Sequence, residues 1–116
     1  MNGSFAMNLV IFLLMQLLAQ LAMKYGSAGA GGLRSRRWWL GFILANAVGA
    51  PSILFLKELY RAVPANPNLV ATIAMAGTFL LSQAGMIILF RSRPTAAQWA
   101  GIAMIAIGGI MACLGG

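Results

Sequence analysis

Four apolar runs divide this 116-residue chain, at roughly residues 7–25, 38–59, 67–90 and 98–114. Each is long enough, or nearly so, to cross a hydrocarbon core that needs about 20 helical residues. Inside lipid every backbone N–H and C=O must find a partner within the protein. Helices achieve this segment by segment, and none of the runs shows the alternation of a membrane barrel strand. The expected fold is an all-α membrane protein, a four-transmembrane-helix bundle forming a single domain over residues 1–116. Composition closes the soluble alternative: 61% of residues are hydrophobic, and eight basic plus one acidic side chain cannot furnish a soluble domain's mixed charged surface. Residues 1–7 carry no Lys or Arg, and the run that follows exceeds an ordinary signal-peptide core, so the first helix is expected to be retained. Cys113 is alone, which rules out an intrachain disulfide and leaves the redox compartment unread.

A net charge of +7 raises nucleic acid as a partner, but the placement of the charges points to a membrane instead. Lys24, Arg34, Arg36 and Arg37 flank the first connection, and Arg91 and Arg93 lie in the third. Lys57 and Arg61 lie by the second, and the termini add no basic side chain. These connections alternate sides, so six basic residues face two across the bilayer. The positive-inside tendency then predicts cytoplasmic first and third loops with both termini outside. For Arg34, Arg36, Arg37, Arg91 and Arg93 the plainest roles are topology signals or lipid-headgroup contacts.

Local signals support the same division. Residues 26–32 are small and glycine-rich, as a flexible connection would be, and Trp38-Trp39 suits the aromatic belt at a membrane interface. Asn66-Pro67 reads as an N-cap with proline at the first helical position. Thr95 with Gln98 forms a capping box before the last run. Pro51, beside Gly49 and Ala50, predicts either a static kink or a hinge in the second helix. In the fourth helix Gly101, Ala106, Gly108, Gly109 and Ala112 are small, and Gly108 with Ala112 has the small-xxx-small spacing that permits close helix contact. Four short helices enclose little, so an oligomer is expected.

The polar inventory inside the apolar runs is short. Gln16, Gln20 and Lys24 recur at four-residue intervals and form a stripe from mid-membrane to one helix end. Membrane-buried polar groups are costly, which makes the stripe a candidate binding surface. At a rise of about 1.5 Å per residue, Gln20, Asn46 and Gln83 each fall on the order of 10 Å from the basic end of their helices. If they converge, they form a hydrogen-bonding patch with Lys24 at its mouth and Ser82 nearby. The competing role for Asn46 and Gln83 is interhelical hydrogen bonding that merely holds the bundle together. Glu58, the sole carboxylate side chain, is expected to pair with Arg61 at i+3. With no histidine, one cysteine and one acid, the chain offers no catalytic constellation, metal-ligand cluster or cofactor motif.

Residues 19–24 (Ala-Gln-Leu-Ala-Met-Lys), Val63-Pro64 before the third helix, and the stretch from Trp99-Ala100-Gly101 to Gly108-Gly109-Ile110 resemble small four-helix members of the drug/metabolite transporter superfamily. The resemblance covers nearly the whole chain. Small multidrug resistance exporters carry a membrane-embedded glutamate eight residues before the lysine of a Met-Lys pair, where this chain has Gln16. They also place aromatic residues early in the third helix, whereas residues 69–75 here contain none. The spacing of Gln20 and Lys24, Trp39-Leu40-Gly41 and Gln98-Trp99-Ala100-Gly101 look more like the small bacterial subunits that flip undecaprenyl-phosphate-linked aminoarabinose. Those subunits also lack the glutamate and act as an unlike pair. Residues 65–68 (Ala-Asn-Pro-Asn) depart from the usual entry to the third helix.

This resemblance implies a multi-pass protein of the bacterial inner membrane that translocates a lipid-linked, phosphate-bearing molecule of the polyprenyl-phosphate-sugar type. Its implied partners are that membrane lipid or lipid-linked sugar and a related small membrane protein, in a homo- or heterodimer. Gln16, Gln20, Lys24, Asn46, Ser82 and Gln83 are the candidate substrate-binding residues. Two alternatives stay open: export of small amphipathic or cationic compounds in the multidrug-resistance manner, and a non-transporting partner subunit.

Overall fold

The computed structural model describes residues 3–28 and 34–115. Residues 29–33, most of the glycine-rich connection, lie outside the described residues. Four helices follow one another: α1 Gly3–Ser27, α2 Arg36–Ala62, α3 Pro67–Leu89 and α4 Ala96–Gly115. All four are long and apolar enough to cross a membrane, and no strand occurs among the described residues. The chain is an all-α, multi-pass membrane protein.

The helix ends differ from the apolar runs for identifiable reasons. α1 extends past the apolar run on its N-terminal side, and Phe5 there carries the packed face into the core, where it is 3% exposed. α2 starts two residues before Trp38 because Ser35 is its N-cap, extended at φ −85° and ψ 132°, its Oγ accepting the Trp38 N–H at 3.4 Å. It ends at Ala62 as Val63, held out of the α region by Pro64, leaves the helix. Asn66 caps α3 by accepting the Leu69 N–H at 3.2 Å, with Pro67 next in line. Before α4, Thr95 N–H donates to Gln98 Oε1 at 2.8 Å and Gln98 N–H to Thr95 Oγ1 at 3.2 Å, a complete capping box. α2 runs unbroken through Pro51.

In lipid, apolar side chains gain little by leaving their surroundings, so helices associate through close packing and polar contacts. The bundle uses both. Phe5, Phe12, Leu59, Val70 and Ala74 form a core in the half away from the basic connections. Toward the basic end α1 and α2 close to backbone contact. A Cβ at Gly41 would lie 2.5 Å from Gly26 Cα and 2.6 Å from Ala22 O, and one at Gly49 would lie 3.5 Å from Ala19 Cβ. Gly41, Ala45 and Gly49 recur every four residues along this seam. α3 docks over α1, with Leu13 against Gly77 and Leu17 and Leu21 against Gly85.

α4 rests on α3, where Gly109 meets Ala76. The small-residue pair Gly108 and Ala112 is not the contact made between α3 and α4: a Cβ at Gly108 would meet nothing of this chain within 4 Å. Consecutive residues on a helix are turned about 100° apart, so the contact made by Gly109 points Gly108 away from α3.

Candidate functional site

The proposed stripe on α1 is a set of separate environments. Gln16 lies in the α1–α2 seam, where its Nε2 donates to Ser52 Oγ at 2.7 Å. Ser52 is fully buried, and its hydroxyl in turn donates to Gly49 O, one turn back. The residue following Pro51 therefore carries the polar link between the two helices. Gln20, half-buried, has no side-chain hydrogen bond among the described residues. Lys24 is exposed and leans toward the end of α3, its Nζ 6.0 Å from the centre of the Phe90 ring. That is the outer limit of a cation–π contact.

The other candidates do not join this stripe. Asn46 is exposed and its Nδ2 donates to Phe42 O of its own helix at 2.8 Å. Ala45 faces α1, so the next residue along is rotated out of the seam. Gln83 follows the buried Ser82 by one residue and is likewise rotated, toward α4, where it lines a cleft between α3 and α4. Gln20, Asn46 and Gln83 thus sit at similar depth without converging, which corrects the conditional patch of three amides. Ser82 Oγ is buried without a hydrogen-bond partner among the described residues, as is Thr78 Oγ1 one turn earlier. Glu58 and Arg61 pair as expected at 3.7 Å, with both side chains mostly in the open. Such a pair is worth less than about 1 kcal/mol.

The basic end holds contacts that the charge pattern alone does not reveal. Arg37 Nε donates to Tyr25 O at 2.8 Å, and its guanidinium lies 4.1 Å over the Tyr25 ring. It satisfies one of the last carbonyls of α1 and sets a positive charge at the negative end of that helix. Trp38 stacks on Phe42 at 5.7 Å with Trp39 edge-on to both. Ser52 and Arg37 are the functional candidates that sequence reasoning passed over. Ser52 follows a proline inside an apolar run, and Arg37 reads as one of several arginines until the chain folds back on Tyr25.

The described residues thus present hydrogen-bonding groups inside the bundle and cations at one end. Glu58, the sole carboxylate side chain, lies near the other end, paired with Arg61. Comparison with protein-family models, with curated proteins and with solved structures returned no match.

Proposed function

We propose that this chain is a subunit of a bacterial inner-membrane transporter that moves a lipid-linked, phosphate-bearing molecule across the bilayer. The polar headgroup passes along α1 while the hydrocarbon chains stay in lipid. The observation that carries this reading is a polar path free of acids. Gln20 has unused hydrogen-bonding capacity, Lys24 stands at the basic end, and the lone carboxylate is held at the far end by Arg61. Amides replace part of a phosphate's hydration, cations attract it and no acid repels it. With Gln16 in the stripe, helix α1 offers no carboxylate to bind and release a proton. The six-to-two charge distribution favours both termini outside, and α4, with none of its residues buried, leaves a face for a related small subunit.

The test is transbilayer movement of a polyprenyl-phosphate lipid in liposomes, at matched protein level. Topology is checked by labelling cysteines introduced at Ser27 and Asn66. Lys24→Ala and Gln20→Leu should each slow movement, and Arg36→Ala should slow it less because Arg36 lies at the start of α2 away from the path. Normal movement in both α1 variants together with loss in Arg36→Ala would defeat the reading.

A second reading, a non-transporting partner subunit, is favoured by the Gln16–Ser52 hydrogen bond, which commits the innermost amide to holding two helices together. It predicts that α1 variants alter complex formation and leave transport by the assembled pair unchanged.

A further inference from the structure

Between α3 and α4, toward the basic end, lies an open cleft of about 530 Å³. Its lower walls are apolar, built from Phe79 of α3 and Ile102 and Ile105 of α4, with Met86 nearer the mouth. Its rim is polar, with Ser92 and Arg93 from the connection and Gln98 from α4, and Gln83 of α3 lies deeper in the cleft, one turn below Met86. The rim is held in place by the backbone. Arg91 adopts a left-handed φ of 54°, and the Ser92 N–H returns to Met86 O at 3.3 Å, so the chain turns sharply off α3. Arg93 precedes Pro94, which restricts it to extended conformations, and Thr95 and Gln98 lock the start of α4. Gln98 Oε1 is taken by that cap, leaving its amide N–H groups as donors, and Gln83 has no partner among the described residues. Arg93 likewise has no acidic partner among the described residues.

We infer that this cleft is a binding site for one anionic glycerophospholipid of the surrounding membrane. Its phosphate sits at Arg93 and Ser92 beside the amide of Gln98, the ester oxygens below it meet the amide of Gln83, and an acyl chain lies along Phe79 and Ile105. Charge selects the class of ligand: the rim offers one guanidinium, a hydroxyl and amide donors and no acid, which matches a phosphodiester. The apolar lower walls select a lipid over free phosphate, since an inorganic ion would leave them unfilled. The site lies on the α3–α4 side of the bundle, shares none of its lining residues with Gln16, Gln20 and Lys24, and does not depend on the transport reading.

Gly101 gives the site a clean test. It lines the cleft, yet a Cβ there would meet nothing within 4 Å, so Gly101→Phe fills the cavity without a clash at its root and without a change in charge. The full-length protein is taken from nanodiscs of mixed phosphatidylglycerol and phosphatidylcholine, and retained lipid is counted by native mass spectrometry. The wild type should keep one phosphatidylglycerol per chain in preference to phosphatidylcholine, and millimolar inorganic phosphate should not displace it. Arg93→Gln should lower retention about tenfold, as expected for loss of one charge-assisted hydrogen bond. Gly101→Phe should lower it as much, while Arg36→Gln should leave it unchanged. Full retention in Gly101→Phe, or equal loss in Arg36→Gln and Arg93→Gln, would overturn the site in favour of diffuse attraction of anionic lipid to a basic surface. Displacement by inorganic phosphate would replace the lipid by a free anion and overturn it equally. Helix content of every variant, read by circular dichroism, separates loss of binding from loss of fold.

Discussion

α1 and α4 begin from nearly the same material, an apolar run with scattered small residues, and end in opposite circumstances. α1 is joined to α2 at backbone distance through Gly26 and Gly41, shares a buried polar link through Gln16 and Ser52, and carries α3 on its other side. α4 has no buried residue and leans on α3. Glycine has opposite meanings in the two places. At Gly41 the missing side chain is occupied by another helix, and at Gly101 and Gly108 it borders open space. Small residues permit close approach, but only the arrangement of neighbours decides whether the approach is made within the chain or left for lipid or another subunit.

The sharpest way to break this contrast is Gly41→Leu. Its Cβ would fall on Gly26 Cα and Ala22 O, backbone atoms that cannot step aside, so the seam must open. We expect a loss of about 3 kcal/mol or more, at the upper end of overpacking costs, measured by reversible unfolding in bicelles. Wild-type stability in this variant would show that the two helices are not in backbone contact. Next in size, Arg37→Ala removes both the bond to Tyr25 O and the guanidinium over its ring, for about 1 kcal/mol. Arg37→Lys keeps the charge that sets topology but cannot reproduce the paired contact. It should therefore recover orientation without recovering stability.

The Gln16–Ser52 bond is smaller. A double-mutant cycle with Gln16→Leu and Ser52→Ala should give a coupling of about 0.6 kcal/mol and no more than about 1.7, the range for polar pairs between membrane helices. A coupling near zero would return Gln16 to the candidate path as a free amide. The smallest effect belongs to Gly108→Leu, which should change the unfolding free energy of the isolated chain by less than about 0.5 kcal/mol. A large loss of self-association in the same variant, read by crosslinking in liposomes, would sharpen the contrast by showing that the open face of α4 is covered by a subunit.

The fold was legible in the sequence because lipid imposes a length on every crossing, and four lengths were visible. Caps were legible where their chemistry is local: Asn66 with Pro67 and Thr95 with Gln98 act within one turn. Partners across helices were legible only in part. Depth can be counted along each helix, so Gln20, Asn46 and Gln83 were placed at a common level. Azimuth depends on which neighbour each helix meets, and a 100° step past Ala45 and Ser82 sends Asn46 and Gln83 out of the seam. The close helix contact fell on Gly41, Ala45 and Gly49, whose four-residue spacing is as plain as that of Gly108 and Ala112. Nothing in the spacing alone distinguishes the three residues that pack within the chain from the pair that does not.

The contact between Arg37 and Tyr25 spans only 12 residues, across the glycine-rich connection. Short separations close with little loss of chain entropy and bring contacts together early. During synthesis α1 and α2 reach the membrane before α3 exists, and everything they need to join is already present: the guanidinium clasp at the turn, the glycine seam and the amide bridge beyond it. The first half of the chain can therefore assemble as a unit while the second is still being made. α3 then arrives at a surface already formed, and α4 comes last, onto α3.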